Sequence, residues 1–146
     1  MQVSHILGDK VAHVVSVTQK DTLGDVAQTF RDNKVGFAIV QNNGDEIVGT
    51  ISERDIIRHL ADKGAKAVSA AVEKAMTASF VSCQPNDTLQ KVMSIMTLQR
   101  TRHLVVMDNK EIQGIISIGD VVKSRLDESI LDEESLRDYI AGTGYT

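Results

Sequence analysis

The chain has 146 residues, of which 42% are hydrophobic, 25% charged and only 3% aromatic, and its formal net charge is -4. This length fits one domain, or two half-domains that share a core, and excludes a catalytic domain beside a separate regulatory one. The negative charge and the few aromatic rings argue against nucleic-acid binding, because phosphates would be repelled and bases would find little to stack on.

The single cysteine, Cys83, cannot form a disulfide within the chain, and we expect it to be a small core residue. The His, Cys, Asp and Glu residues show no spacing typical of a metal site, so no metal is predicted. The first residues lack a basic stretch followed by an apolar run, and no segment approaches the roughly 20 apolar residues of a membrane span. These patterns predict a reduced, cytoplasmic protein that does not contact a membrane.

The elements of the first half follow the order strand, helix, strand, strand, helix. A β-rich run at residues 14–17 precedes a helix that begins after Thr22, whose hydroxyl can cap free backbone amides. Strands at residues 37–40 and 46–51 are joined by a tight turn, and a second helix begins at Ser52. Apolar residues at helical spacing predict that the first helix faces a core: Leu23, Val26, Ala27 and Phe30.

The same order recurs in the second half. A helix begins after Thr88, strands are predicted at residues 103–107 and 112–116, and the last helix begins at Ser117. The apolar stripe of the first helix recurs as well: Leu89, Val92, Met93 and Met96. Since one copy alone could hardly cover its small sheet, we predict an α/β (α+β) fold in which two β-α-β-β-α repeats pack with pseudo-two-fold symmetry.

Two segments lie outside the repeated units. Residues 66–75 are rich in alanine and contain no proline, which predicts a short helical connector. The last helix is expected to run to about residue 128, and residues 132–140 to form a further acidic amphipathic segment ending at Gly142, either a solvated helix or a contact helix for a partner or a second copy. The predicted division is residues 1–66, the first repeat with its N-terminal lead-in; residues 67–128, the connector and second repeat; and residues 129–146, an acidic helix or tail.

A Gly-x-x-Ser-x-x-Asp signature marks the junction between strand and helix in each repeat. Its residues are Gly49, Ser52 and Asp55 in the first copy and Gly114, Ser117 and Asp120 in the second. One interpretation is a capping box, in which the serine and the carboxylate satisfy free amides at the helix start. The other is a ligand site, where the free amides attract a phosphate and the carboxylate accepts hydrogen bonds from ribose hydroxyls.

Catalytic patterns are missing from the sequence. His5, His13, His59 and His103 are scattered, and neither a Gly-x-Ser-x-Gly elbow nor a Walker-type loop occurs. The two aspartates of the signature are better explained by the repeat than by acid–base chemistry. We therefore expect a protein that is not an enzyme.

The repeats, their signatures and the Lys74-Ala-Met-Thr77 lead-in to the second copy resemble a tandem CBS domain pair, also called a Bateman module. The resemblance covers about residues 3–128. Four stretches also resemble a group of small bacterial proteins that consist of little else: residues 52–58, 102–106, 117–123 and 136–142.

The resemblance implies two adenosine sites between the repeats. The family's aspartate binds ribose hydroxyls and the serine three residues before it binds phosphate or ribose, which assigns Asp55 with Ser52 and Asp120 with Ser117. The opposite repeat would wall each site: Val15, Val35, Gly36 and Phe37 for Asp120, and Val81, Thr101, Arg102 and His103 for Asp55. Cations suited to a phosphate are Arg54, Arg100, Arg102 and His103, although exposed turn arginines and a structural histidine explain the last three equally well.

The function implied is regulatory sensing of AMP or a related adenosine ligand (ATP, ADP, NAD(H) or S-adenosylmethionine), with no obligatory cofactor. The ligand would favour one arrangement of the halves and so alter contact with a regulated protein or a second copy. A homodimer is expected through helix positions that include Ile56, Ile57, Leu60, Val121 and Val122. The alternative is a scaffold that binds no ligand and only dimerises.

Overall fold

The computed structural model describes residues 1–8 and 14–141. Its elements, in chain order, are α1 (Val3–Leu7), β1 (Ser16–Thr18), α2 (Leu23–Asn33), β2 (Phe37–Gln41), β3 (Ile47–Ser52), α3 (Glu53–Lys63), two 3-10 turns (Gly64–Ser69 and Val72–Lys74), β4 (Ser82–Cys83), α4 (Leu89–Gln99), β5 (His103–Asp108), β6 (Glu111–Ser117) and α5 (Ile118–Ile140).

The strands form two three-stranded sheets of the same topology, ordered β1-β2-β3 and β4-β5-β6. In each sheet the first strand runs parallel to the second, and the second pairs with the third as an antiparallel hairpin. A register shift interrupts both hairpins at equivalent places, Val40/Gln41 and Val106/Met107. The predicted duplication of a β-α-β-β-α unit and the mixed α and β fold are thereby confirmed.

Residues of a strand point alternately to the two faces of its sheet. In this protein both faces of each sheet are buried. Ala38 and Val40 pack with the apolar side of α2, and Leu104 and Val106 pack with that of α4. The opposite faces of the two sheets meet in a third apolar cluster centred on Phe37, Ile39 and Val105. The repeats therefore share a core, and neither sheet is covered without the other.

Each repeat is completed by the segment that precedes the other one. The N-terminal α1 buries Val3 and Leu7 in the core of the second repeat, where Val3 donates its backbone N–H to the Asp87 carbonyl oxygen over 2.9 Å. The connector does the same for the first repeat: Val72 is fully buried there and donates its backbone N–H to the Asp21 carbonyl oxygen over 2.8 Å.

The connector differs from the expected short helix over residues 66–75. Two 3-10 turns flank Ala70 and Ala71, which have extended backbones. The extended pair bonds to the start of α2, where the Leu23 N–H donates to the Ala70 carbonyl oxygen over 2.9 Å. A continuous helix would lose this bond and withdraw Val72 from the core.

The last helix is longer than expected. Helix α5 runs without a break from Ile118 to Ile140, so the predicted end near residue 128 is wrong. No glycine or proline interrupts residues 120–140, and the Arg137–Glu133 pair supports the last turns at 3.0 Å. The predicted end at Gly142 lies outside the described residues.

Two residues predicted to face the core, Ala27 and Met93, are exposed.

Candidate ligand-binding site

Both repeated junctions hold a serine at the N-cap and an aspartate in the first turn of the following helix. The backbone N–H of Asp55 donates to Ser52 Oγ over 3.3 Å, and the Ser52 N–H donates to Asp55 Oδ2 over 2.9 Å. The corresponding distances for Asp120 and Ser117 are 3.1 and 2.9 Å. Each serine hydroxyl also donates to Oδ2 of its aspartate. The capping box predicted from the signature is therefore present in both repeats.

The two aspartates have different surroundings. Asp55 is 8% exposed, and its Oδ1 accepts a 3.4 Å hydrogen bond from the Thr77 hydroxyl and lies 3.7 Å from Arg58 Nη1. Asp120 is half-buried. The aspartate of the first junction is therefore less exposed than that of the second.

A capping box alone does not identify a ligand site in this chain. Helix α2 has the same arrangement, with Asp25 N–H donating to Thr22 Oγ1 over 3.1 Å and Thr22 N–H donating to Asp25 Oδ2 over 3.2 Å. In the equivalent helix of the second repeat only the cap is present: the backbone N–H of Lys91 donates to Thr88 Oγ1 over 3.1 Å. Any further role of the two Ser–Asp junctions depends on what surrounds them.

Two aromatic rings meet beside both junctions. Phe37 and His103 stack with ring centroids 4.6 Å apart and planes inclined by 13°. Phe37 lies opposite Ser52 in the first sheet, and His103 lies opposite Ser117 in the second. The contact between the repeats therefore carries a stacked pair flanked by the two strand-to-helix turns.

Charge is distributed unequally between the junctions. In the first repeat the Glu53 side chain covers Gly36 so closely that a side chain at position 36 would collide with its carboxylate. The equivalent backbone position of the second repeat is Arg102, which is exposed and forms no ion pair with any described residue. Arg54 reaches across the repeats, donating from Nη1 to the Arg100 carbonyl oxygen over 3.2 Å.

The other predicted wall residues have contacts within their own repeats. Val15 and Val35 pack, partly buried, against the core of the first repeat, and Val81 packs against that of the second. Thr101 donates its hydroxyl to the His103 carbonyl oxygen over 3.0 Å, which fixes the start of β5. Of the predicted wall, Phe37 and His103 are the pair in ring contact across the repeats.

Three residues near the first junction were not predicted: Glu53, Arg58 and Thr77. Thr77 lies in the lead-in to the second repeat and pairs with Thr50 through two backbone hydrogen bonds of 2.8 and 3.0 Å. Arg58 stands three residues after Asp55, a helical spacing that could have identified it. Glu53 and Gly36 are far apart in the sequence, so no local sequence pattern predicts their contact.

Two further expectations concern metals and membranes. Within residues 1–8 and 14–141, no group of three or more His, Cys, Asp or Glu side chains is placed to hold a metal ion. In the same residues, no helix combines the length and the apolar character needed to cross a bilayer.

The duplicated fold has relatives. Residues 4–62 and 71–127 each match the model of the CBS domain family. The chain belongs to the CBS domain family. It carries two CBS repeats in tandem, and the resemblance inferred from the repeated motifs is confirmed.

Solved CBS structures share this architecture. The CBS-domain protein ATU1752 from Agrobacterium tumefaciens is 39% identical to this chain, and the two structures superimpose with a TM-score of 0.82. The match covers 85% of this chain and 92% of that chain. The CBS domain protein PAE2072 from Pyrobaculum aerophilum, solved as a complex with AMP, is 25% identical to this chain, with a TM-score of 0.72. That match covers 82% of this chain and 89% of that chain.

A plant relative is longer. The mitochondrial CBS domain-containing protein CBSX3 of Arabidopsis thaliana is 32% identical over 132 residues, which span 88% of this chain and 64% of that protein.

Proposed function

We propose that this tandem CBS protein binds an adenine nucleotide, AMP or a related adenosine compound, between its repeats and that occupancy changes how it contacts a partner. The observation that carries the proposal is the Phe37–His103 stack flanked by the two Ser–Asp junctions. A ligand bound there would touch both halves, so its binding energy would favour one relative arrangement of them.

The chemistry of the junctions supports a sugar-phosphate ligand. Each offers a serine hydroxyl, the amides of a helix start and a carboxylate, which suit a phosphate and ribose hydroxyls. The AMP complex of PAE2072 supports an adenosine ligand for this architecture. ADP, ATP, NAD(H) and S-adenosylmethionine carry the same adenosine group and stay within the proposal.

The test begins with thermal shifts in AMP, ADP, ATP, NAD, NADH and S-adenosylmethionine, followed by calorimetric titration of the best ligand. We expect Asp55→Ala and Asp120→Ala each to weaken binding at the affected site about tenfold or more, since a hydrogen bond to a charged group contributes about 1.5 to 3 kcal/mol.

The matched control is Asp25→Ala. It removes the same kind of capping box from α2, where no ligand group is proposed. We expect it to lower the melting temperature, though by less than Asp55→Ala, whose carboxylate is buried and also contacts Thr77 and Arg58, and to leave nucleotide affinity unchanged. Unaltered affinity in both Asp55→Ala and Asp120→Ala would remove the proposed ribose contacts.

Arg102 provides a second prediction, which distinguishes phosphate-bearing ligands from S-adenosylmethionine. Reversing its charge with Arg102→Glu should weaken AMP and ATP strongly and S-adenosylmethionine little, because only the phosphates lose a cationic partner. Arg31→Glu, an exposed reversal on α2, serves as the control in the same titrations. Equal losses for all three ligands would contradict a phosphate contact at Arg102.

A ligand-free scaffold is the second candidate function, and the capping geometry favours it. Asp55 already accepts hydrogen bonds from Ser52 and Thr77 and is nearly buried, so its carboxylate needs no ligand. This alternative predicts that none of the six compounds raises the melting temperature.

The rest of the proposal concerns partners. Apolar side chains exposed on α3 and α5, including Ile57, Leu60 and Val122, suit a homodimer. Ile56 and Val121, also predicted for this role, are instead half-buried and buried against the cores. A sensor without catalysis, acting in the cytoplasm on a separate regulated protein, stays our prediction.

A further inference from the structure

The start of helix α3 faces the second repeat. Arg54, in the first turn of this helix, donates from Nη1 to the Arg100 carbonyl oxygen over 3.2 Å. This contact brings residues 100–103 to the Ser52–Asp55 junction, and the proposed ligand position between them is here called site A. Its cations are Arg54, Arg100 and Arg102, none of which forms an ion pair within the described residues. Site A therefore suits a phosphate group, which arginine binds through charge-assisted hydrogen bonds.

The equivalent position in the other half, here called site B, lies between the Ser117–Asp120 junction and the start of strand β2. The backbone shows which residues correspond. Lys34 and Arg100 each follow a helix and adopt the left-handed conformation. The carbonyl oxygens of Gly36 and Arg102 each accept the first N–H of the helix that follows their hairpin, over 2.9 and 2.8 Å. The residues around the two sites can therefore be compared one by one.

Site B lacks the three arginines and has a carboxylate instead. The equivalents of the arginines are Lys34, Gly36 and Gly119, so only one of these three positions is a cation. The Glu53 side chain lies against Gly36, where a Cβ atom would collide with it. Glu53 is exposed, and within residues 1–8 and 14–141 it pairs with no cation. Because no cation of the protein neutralises this charge, it would repel a phosphate group at site B.

We propose that Glu53 determines the ligand preference of site B by disfavouring a phosphate. Site A then takes AMP or another phosphorylated adenosine compound, and site B takes an adenosine compound whose 5′ group is cationic or uncharged. S-adenosylmethionine, which carries a sulfonium cation on its 5′ carbon, represents the second class. This inference rests on the adenosine binding proposed above and goes beyond it by assigning a different ligand class to each site.

Glu53→Gln tests the repulsion, because it removes the charge and nearly preserves the shape of the side chain. In calorimetric titrations we expect the unaltered chain to bind one AMP tightly at site A and a second weakly at site B. Glu53→Gln should strengthen the second binding event about tenfold or more, since two like charges no longer meet. Adding Asp120→Ala to Glu53→Gln should remove this gain, because it disables site B.

S-adenosylmethionine should respond in the opposite direction. We expect Glu53→Gln to weaken its binding about threefold, since the sulfonium loses a carboxylate at the protein surface. A purely structural role of Glu53 would change the affinities for AMP and S-adenosylmethionine in the same direction. The matched control is Glu46→Gln, an exposed substitution between β2 and β3, which should leave both affinities unchanged. Thermal melts show whether each variant is folded.

The outcomes separate this inference from the proposed function. Two equally tight AMP molecules on the unaltered chain, or an AMP affinity that Glu53→Gln does not change, would overturn the inference and leave adenosine binding in place. A gain that persists when Asp120→Ala is added would mean that Glu53 acts at site A, which also overturns it. If neither AMP nor S-adenosylmethionine bound the unaltered chain, the proposed function and this inference would fail together.

Discussion

Gly49 has no space for a side chain, because a Cβ atom there would lie 2.8 Å from the Thr77 carbonyl oxygen and 2.9 Å from Met76 Sδ. The same Thr77 bonds to the Asp55 carboxylate through its hydroxyl. The glycine of the first signature therefore lets the lead-in of the second repeat approach strand β3 and reach the candidate site.

Gly49→Ala is expected to lower the free energy of unfolding by about 1 to 3 kcal/mol, the cost of overpacking a close contact. Chemical denaturation measures it. The control is Gly119→Ala in the first turn of α5, where a Cβ would meet Ser117 Oγ at an ordinary 3.6 Å and should be neutral or stabilising. Equal effects of the two substitutions would contradict the packing role of Gly49.

At the scale of single elements, hydroxyl caps define where the longer helices begin. Thr22, Ser52, Thr88 and Ser117 each accept a hydrogen bond from the backbone N–H three residues later. These starts and the apolar stripes depend on neighbours in the sequence, which is why helices α2 to α5 and the hairpins were predictable.

Removing the helix caps one at a time should lower the free energy of unfolding by similar amounts. We expect Thr22→Ala, Ser52→Ala and Ser117→Ala each to reduce stability by about 0.5 to 2 kcal/mol without ligand, as lost N-caps do. With saturating nucleotide, the stability that Ser52→Ala and Ser117→Ala lose relative to the unaltered chain should become larger, while the loss for Thr22→Ala should stay the same. Denaturation with and without nucleotide provides the measurement, and identical behaviour of all three would count against a ligand role of the serines.

Other elements could not be predicted from local pattern. The extended Ala70–Ala71 pair inside an alanine-rich connector exists because it bonds to Leu23, a tertiary contact that overrides helix propensity. The roles of Asp55 and Asp120 stayed open for a different reason: a capping box and a ribose site use the same two side chains at the same spacing.

At the scale of the molecule, the repeats are joined through the cluster of Phe37, Ile39 and Val105 between the sheets. Together with the exchanged lead-in segments, this shared core implies that both halves unfold together. Cys83, buried in the second repeat, can report on that half, because its burial raises the pKa of the thiol to about 11 and keeps it unreactive while folded.

Ile39→Ala, in the first repeat, should therefore expose Cys83 in the second. We expect the substitution to cost about 2 to 5 kcal/mol and to shift the urea midpoint for thiol labelling by the same amount as the midpoint for loss of helical circular dichroism. The exposed Leu98→Ala is the control and should leave both midpoints in place. A thiol midpoint that does not move would mean that the halves unfold independently.

The exchange of α1 and the connector between the repeats also bears on fragments of the chain. A cut between Ser69 and Val72 would leave the first half without the valine that fills its interior, and the second half without the residues of α1. We expect neither fragment to fold stably when it is expressed alone. Two such pieces supplied together have complementary gaps and should reassemble.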